Sequence, residues 1–150
     1  LGYWKQPELT EQALRGGWMH TGDAARMDED GFVYIVDRLK DMILSGGFNV
    51  YPRNIEDAIY QHPAVAECTV IGVADEYRGQ AAKAFITLKQ GAAPVTLEEM
   101  RAFLDDKLGR HELPQHLEIR ETLPKTPVGK LSKKELYAEE AAKRGAESAA

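Results

Sequence analysis

Short runs in which apolar residues alternate with polar ones, or follow one another, recur along the chain and predict β-strands. They cover residues 25–28, 32–37, 42–44, 48–50, 65–73, 83–88 and 117–120. Turn residues separate two pairs of runs, the acidic segment 28–31 and the segment 45–47, so each pair predicts a β-hairpin. Because an isolated hairpin is marginal in water, we expect the first one to belong to a sheet whose other strands lie outside this chain.

Helical spacing of apolar residues, together with start and stop signals, predicts four helices. The first follows Pro7. The second begins at Pro52, carries Ile55 and Ile59 on its apolar face and stops before Pro63. The other two begin with capping boxes, formed by Thr96 with Glu99 and by Ser132 with Glu135.

From about residue 41 the predicted order is hairpin, helix, strand, strand, helix, strand, loop and helix. This order is typical of a compact α+β unit in which helices pack on a small sheet. The third helix is expected to end at Gly109, and the loop between the two long strands to cover residues 74–79. The tail is expected to fray from about residue 140.

Composition narrows the class of protein. Of the 150 residues, 43% are hydrophobic and 29% are charged, as in a soluble globular protein with a buried core. The net charge of -5 gives no basic field, so nucleic acid is not an expected partner. Cys68 is the only cysteine, which excludes a disulfide framework and a cysteine-rich zinc site and fits a reducing, cytoplasmic location.

Three further absences in the sequence shape the expectations. The histidines show no spacing that indicates a metal site, so no metal is expected to be bound by this chain. No window approaches the roughly 18 consecutive apolar residues of a membrane span. The start, LGYWK, lacks an initiator methionine and does not resemble a signal peptide, so we expect a fragment of a longer protein.

Two charged residues beside the first hairpin are candidates for contacts with a nucleotide. Asp23 follows Gly22 in a turn close to Trp18, and an ionised carboxylate can accept hydrogen bonds from the two vicinal hydroxyls of a ribose. Arg38 follows Asp37 and offers a planar fork to phosphate or ribose oxygens. Taken one at a time, a plain turn and a surface ion pair explain these residues more simply.

The stretch from 37 to 56, DRLKDMILSGGFNVYPRNIE, organises the rest of the chain. Its charged segment around Lys40 lies between two strand-like runs, and we interpret it as a hinge. The pair Gly46 and Gly47 follows, and glycine adopts positive φ at low cost and lets another molecule approach the backbone closely. A charged turn followed by an ordinary hairpin is the simpler interpretation of the same residues.

The segment 123–130, LPKTPVGK, predicts an irregular loop. Its prolines and glycine would present the ammonium of Lys130 at the tip. A flexible cation of this kind can reach a site on another domain and stabilise charge developing on a phosphate and a carboxylate. The alternative is a solvated basic loop, because Lys125, Lys133 and Lys134 are close in sequence.

Taken together, GWMHTGD, GFVYIVDRLKDMILSGGFNVYPRNIE and LPKTPVGKLSK resemble the C-terminal part of the adenylate-forming superfamily. That superfamily includes acyl-CoA synthetases, 4-coumarate-type CoA ligases, firefly luciferase and the adenylation domains of peptide synthetases. The resemblance extends from Leu1 to about Tyr137. It implies activation of a carboxylic acid by ATP with Mg²⁺ to an acyl-adenylate, followed by transfer of the acyl group to a thiol, usually that of CoA.

The resemblance also implies the domain organisation. Residues 1–38 would end a large AMP-binding domain, residues 39–40 would be the hinge, and residues 41–150 would form a small domain that swings between two orientations, one for each half-reaction. Asp23 would bind the ribose hydroxyls of ATP, Arg38 the ribose or phosphate region, and Lys40 would mark the hinge. Lys130 would bridge the carboxylate and the α-phosphate during adenylation. Gly46 and Gly47 would line the pantetheine tunnel after the swing.

The most plausible function is therefore that of a fragment of an ATP-dependent acid–CoA ligase for fatty or related acids, whose missing N-terminal domain is its main partner. The phosphate loop and the acyl pocket are absent, so the chain alone is predicted to be inactive. Two alternatives stay open: an adenylation domain that loads a carrier protein, and a non-catalytic nucleotide- or CoA-binding module. Joint retention of Asp23, Arg38 and Lys130 argues against the second. The sequence makes no prediction about membrane contact.

Overall fold

The computed structural model describes residues 2–147. Contacts between residues divide the chain into two compact units, Leu1–Lys40 and Asp41–Ala150. A 3₁₀ turn, Leu39–Asp41, lies where one unit gives way to the other along the chain. Each unit is built from its own elements.

The first unit contains helix α1 (Pro7–Ala13) and the strands β1 (Asp23–Met27) and β2 (Val33–Arg38). The two strands pair antiparallel, as the hairpin signal predicted. The turn between them is held by Asp28, whose carboxylate accepts hydrogen bonds from the backbone of Asp30 and Phe32 and from the Tyr34 hydroxyl. Several large apolar side chains of this hairpin are exposed: Met27, Phe32, Val33, Tyr34 and Ile35.

The second unit is the α+β domain that the sequence predicts. Its strands are β3 (Ile43–Ser45), β4 (Phe48–Val50), β5 (Val65–Asp75), β6 (Gly79–Leu88) and β7 (His116–Ile119), and its helices are α2 (Pro52–Ile59), α3 (Leu97–Leu104) and α4 (Lys133–Glu147). The sheet order is β4-β3-β6-β5, with β7 parallel to β6. Successive side chains of a strand point to opposite faces of the sheet, so β5 and β6 contribute residues to two cores, one on each face.

The larger core lies beside α2 and α3 and contains Ile55, Ile59, Val70, Met100 and Leu104, all at 0% exposure. The smaller core joins the sheet to α4. It contains four buried residues, Ile71, Phe85, Leu123 and Leu136, with Leu131 packed against them. The helices therefore cover both faces of the central strands.

Several predicted boundaries were wrong. Strand β1 covers 23–27 rather than 25–28, and β5 continues to Asp75, so the loop between the two long strands covers 76–78 rather than 74–79. Strand β6 begins at Gly79 rather than at residue 83, because Ala81 and Ala82 are buried in the ladder although alanine gives a weak strand signal. Helix α3 ends at Leu104 rather than near Gly109, since the chain turns there and a pair of aspartates with poor helix propensity follows.

The tail is helical further than residue 140, since α4 continues to Glu147. Ion pairs fasten its outer turns to the sheet: Glu140 to Lys83 at 2.9 Å, Glu139 to Arg120 at 2.6 Å and Lys143 to Glu118 at 3.3 Å. The predicted fraying of residues 148–150 lies outside the described residues.

Candidate functional site

Asp23 and Arg38, the two residues predicted to contact a nucleotide, are direct cross-strand partners at the end of the first hairpin. The Nε atom of Arg38 lies 3.7 Å from Oδ1 of Asp23, which is an ion pair but too long for a hydrogen bond. The Asp23 side chain is 25% exposed and that of Arg38 is 64% exposed. Both keep hydrogen-bonding capacity for a ligand.

The backbone around this pair is ordered by local hydrogen bonds. The N–H of Asp23 donates to Oγ1 of Thr21 at 3.2 Å, and the N–H of Leu39 donates to the carbonyl of Gly22 at 2.8 Å. Gly22 has a φ of 77°, in the region that favours glycine. The predicted turn at Gly22 and Asp23 was wrong: Asp23 is the first residue of β1, because the Gly22 carbonyl already pairs with the N–H of Leu39 across the hairpin.

The predicted hinge segment changes from buried to exposed over a few residues. Asp37 is 8% exposed, and its carboxylate accepts a hydrogen bond from the N–H of Arg38 at 2.7 Å. Leu39 is 53% exposed, and Lys40 is exposed too. An exposed 3₁₀ turn has few contacts to break when its dihedral angles change, and hinge motion at Lys40 stays a prediction.

Gly46 and Gly47 form the two-residue turn between β3 and β4, with φ values of 57° and 85°. Positive φ at both positions is the geometry of a type I′ hairpin. The N–H of Gly46 also donates to the carbonyl of Arg78 at 2.9 Å. A Cβ atom added at either glycine would meet nothing within 4 Å, so the backbone conformation requires these glycines, while the space above them is open.

Lys130 lies in a loop that is more regular than the sequence indicates. Lys125 and Leu131 form an isolated antiparallel bridge. Inside it, the N–H of Thr126 donates to the carbonyl of Lys130 at 2.7 Å, and the N–H of Lys130 donates to Oγ1 of Thr126 at 3.1 Å. Gly129 has a φ of 81°, which lets its N–H reach the Thr126 carbonyl at 2.8 Å. The loop 125–131 is therefore a closed turn.

Charge partners distinguish Lys130 from the lysines that flank the closed turn. Lys125 is paired with Glu67 at 2.6 Å, and Lys133 is paired with Glu56 at 2.9 Å. Within residues 2–147 the ammonium of Lys130 makes no hydrogen bond and no ion pair, and the residue is exposed. The loop thus presents an available cation on a fixed backbone.

The glycine turn and the Lys130 loop are attached to opposite ends of the β5–β6 hairpin. Gly46 bonds to Arg78, next to the first residue of β6, whereas Lys125 pairs with Glu67, which lies opposite Thr87 near the other end. These anchor points are roughly 26 Å apart at about 3.3 Å per residue. One small domain therefore carries its two candidate regions on two different ends.

Glu56 makes contacts that the sequence did not predict. One of its oxygens, Oε1, accepts hydrogen bonds from the N–H of Val70 at 2.8 Å and the hydroxyl of Thr69 at 3.4 Å, and it pairs with the Nζ atom of Lys133 at 2.9 Å. Its partners are distant in sequence, so no local pattern points to them. The one available signal was an acidic residue beside the apolar face of a predicted helix.

A second ionic cluster, missed for the same reason, supports β7 and α4. Partial burial raises the pKa of Glu118, but hydrogen bonds from Lys83 and Arg120 outweigh it and lower the pKa to about 2. Lys83 contacts Glu118 at 2.8 Å.

Burial raises the pKa of the Cys68 thiol, which makes the thiol a poor nucleophile.

Two negative findings concern the described part of the chain. Between residues 2 and 147 no group of three or more His, Cys, Asp or Glu side chains could hold a metal ion. Across the same range no helix has the length and apolar character needed to cross a bilayer.

Comparisons with known proteins agree with this fold and these motifs. Residues 54–130 match the profile of the AMP-binding enzyme C-terminal domain. The chain therefore belongs to the family of AMP-binding enzymes and contains their C-terminal domain, which confirms the resemblance seen in the sequence.

Three relatives illustrate the match. The long-chain-fatty-acid–CoA ligase of Bacillus subtilis (strain 168) is 50% identical over 139 residues, which are 93% of this chain and 25% of that protein. The structure of o-succinylbenzoate CoA synthetase from Bacillus subtilis, in complex with its acyl-adenylate intermediate, matches with a TM-score of 0.83 and 32% identity over 90% of this chain and 27% of that one. ATP-bound MatB from Rhodopseudomonas palustris matches with a TM-score of 0.81 and 35% identity over the same shares. The chain thus spans about a quarter of the length of these relatives.

Proposed function

We propose that this chain is the C-terminal part of an ATP-dependent acid–CoA ligase that acts on a fatty or related carboxylic acid. The protein would convert the acid and ATP to an acyl-adenylate and pyrophosphate, and then transfer the acyl group to CoA with release of AMP. The observation that carries the proposal is the exposed, unpaired ammonium of Lys130 on a closed turn whose flanking lysines are both paired. The choice of a fatty acid is supported by the 50% identity to the long-chain-fatty-acid–CoA ligase of Bacillus subtilis.

The first half-reaction explains why such a cation is needed. A carboxylate oxygen attacks the α-phosphorus of ATP, so two negative groups approach each other and charge builds up on the phosphate oxygens. A donor aimed at the position where charge develops lowers this barrier. In our proposal the Nζ atom of Lys130 contacts both the carboxylate and the α-phosphate, and the fixed backbone of the loop limits the entropy lost on reaching that position.

The other candidate residues take complementary roles. Asp23 would accept hydrogen bonds from the ribose hydroxyls of ATP, and Arg38 would contact the ribose or a phosphate. The turn at Gly46 and Gly47 would border the path of the pantetheine arm during thioester formation. Residues 1–38 would complete the large domain, which carries the site. A rotation at Lys40 would bring first the Lys130 loop and then the glycine turn of the small domain, residues 41–150, to that site.

The cofactors are part of the same proposal. CoA is the acyl acceptor, and Mg²⁺ accompanies ATP; both ATP and the ion would be held mostly by the missing N-terminal domain. When bound, Mg²⁺ neutralises charge on the ATP phosphates. We place the protein in the cytoplasm, where ATP and CoA are available, and assign it no nucleic-acid partner.

The test is acid-dependent pyrophosphate release by the full-length protein, measured with carboxylic acids of increasing chain length, followed by detection of the CoA thioester. We expect release with fatty acids and thioester formation only when CoA is added. The 150-residue chain alone should show neither. Pyrophosphate release without any thioester would contradict a CoA ligase, and activity of the 150-residue chain would contradict the division of labour between domains.

A further inference from the structure

Glu56 joins three elements of the small domain through one carboxylate oxygen. It lies on α2, its N–H and hydroxyl donors come from Val70 and Thr69 on β5, and Lys133 is the first residue of α4. The side chains of Glu56 and Lys133 are only 18% and 21% exposed. A charge-assisted contact with so little exposure is stronger and better fixed than a surface ion pair.

Part of this arrangement has a purely structural purpose. Strand β5 is at the edge of the sheet, and its outward backbone groups need partners. Glu56 supplies one to Val70. Tyr60, directly after the end of α2, donates to the carbonyl of Cys68 at 3.2 Å and accepts from its N–H at 3.0 Å. Glu56 and Tyr60 thus cover the same edge, but only Glu56 also contacts Lys133.

The contact with Lys133 links α2 to the Lys130 loop. Lys133 follows Lys130 closely in the chain, and Leu131, which lies between them, packs against the smaller core. On the other side of the loop, Lys125 is held by Glu67. The backbone that carries Lys130 is therefore held at both ends. On the side nearer to Lys130, the ion pair of Glu56 with Lys133 adds to the packing of Leu131 and to the hydrogen bond from the N–H of Ser132 to the Pro124 carbonyl at 2.9 Å.

We propose that Glu56, through its ion pair with Lys133, is a positioning residue for the Lys130 ammonium in the adenylation half-reaction. This inference rests on the proposed function, since it assumes that Lys130 acts on ATP and the acid. Glu56 touches no substrate in this account. It fixes the position of the first residue of α4 and therefore the position and direction of the Lys130 loop. This matters because small displacements of a catalytic group reduce reaction rates strongly.

The experiment compares variants of the full-length protein in the two half-reactions. Glu56→Gln keeps an oxygen for the N–H of Val70 but removes the charge that holds Lys133, and Lys133→Met removes the other half of the pair. Tyr60→Phe is the matched control, because it opens the same strand edge without touching Lys133. Lys133→Arg is the conservative variant that keeps the charge.

We expect Glu56→Gln and Lys133→Met each to lower kcat for acyl-adenylate formation about 10-fold. KM for ATP should stay within about twofold of wild type, because Lys130 acts mainly on the charge that develops in the transition state. The rate of thioester formation from preformed acyl-adenylate should also stay within about twofold, since that step does not use Lys130. Lys133→Arg should retain most of the adenylation rate. Tyr60→Phe should lose stability without this selective loss.

Two results would overturn the inference. One is a loss that is not selective: Tyr60→Phe and Glu56→Gln lose the same adenylation rate, or Glu56→Gln loses both half-reactions equally. Either outcome would mean that Glu56 only satisfies the backbone of the strand edge. The other is wild-type adenylation in both Glu56→Gln and Lys133→Met. Lys130→Ala, measured in parallel, separates these results from failure of the proposed function, because that function fails if Lys130→Ala itself adenylates normally.

Discussion

The two candidate regions of the small domain, the glycine turn at 46–47 and the loop 125–131, differ in the part that side chains play. Backbone conformation alone defines the turn: both residues have positive φ, and no side chain fills the space above them. In the loop, the hydroxyl of Thr126 and the ion pairs of Lys125 and Lys133 add to two backbone hydrogen bonds and to the positive φ of Gly129. An empty surface suits passage of a neutral chain, and a fixed cation suits a reaction between two anions.

The largest expected effect concerns the loop. In the full-length protein, Lys130→Ala should lower acyl-adenylate formation by about 10²- to 10³-fold, the usual loss when a donor to developing charge is removed. Transfer from preformed acyl-adenylate should change less than about threefold. Single-turnover measurement of each half-reaction checks both statements. The control is Lys134→Ala, an exposed lysine on α4 that should leave both rates unchanged.

A change in the glycine turn should impair thioester formation and spare adenylation. Gly47→Ala should lower thioester formation about 10- to 100-fold, because a methyl group enters the open space and the turn must distort, while adenylation stays near wild type. Gly91→Ala is a strict control: Gly91 has a φ of 77° and equally open surroundings, so it carries the same backbone strain. Equal losses of thioester formation in the two variants would show that strain, and not obstruction, explains the effect.

Asp23 extends the comparison to the first unit. Asp23 would hold the ribose of ATP, so Asp23→Asn should impair adenylation and spare thioester formation, as Lys130→Ala does. We expect KM for ATP to rise about 10-fold through loss of a charged hydrogen-bond acceptor. Steady-state kinetics at varied ATP would measure it. Asp30→Asn, at the other end of the same hairpin, should leave KM for ATP unchanged. An unchanged KM in both variants would remove Asp23 from the site.

The smallest expected effect concerns Glu118, whose ion pairs with Lys83 and Lys143 connect β7 to β6 and to α4. The pKa of Glu118 is lowered to about 2, so its stabilising contribution is full above the ordinary value of 4.5 and is lost as pH falls from there towards 2. Glu118→Gln should lower the free energy of unfolding by about 1–2 kcal/mol at pH 7 and by almost nothing near pH 2, after allowance for solvent screening. Denaturant titrations at both pH values test this, with exposed Glu121→Gln as control. A pH-independent difference would contradict the ionic origin.

Local features of this fold could be predicted from the sequence, and distant pairings could not. The turn at Gly46 and Gly47 and the start of α2 at Pro52 depend on neighbouring residues, and the structure has both where the pattern predicts them. The capping box of Thr96 with Glu99 is also present.

The missed ion pairs depend on residues far apart in the chain. Glu56 meets Lys133, and Lys83 meets Glu118 and Glu140, only after the sheet and α4 have packed. The order of the Lys130 loop was missed for a local reason: prolines and glycine indicate irregular structure, but a hydroxyl at Thr126 can close such a segment into a turn. The role of Lys130 in adenylation, which the motif predicts, stays a prediction.

The most direct test of the central claim is a crossed measurement on one full-length protein. Acyl-adenylate formation and thioester formation would be followed by rapid quench in wild type, Lys130→Ala and Gly47→Ala, and the ratio of the two rates would be compared. We predict that the ratio shifts in opposite directions in the two variants, by at least about 10-fold each. A shift in the same direction, or no shift in either variant, would contradict the assignment of the two regions to separate half-reactions.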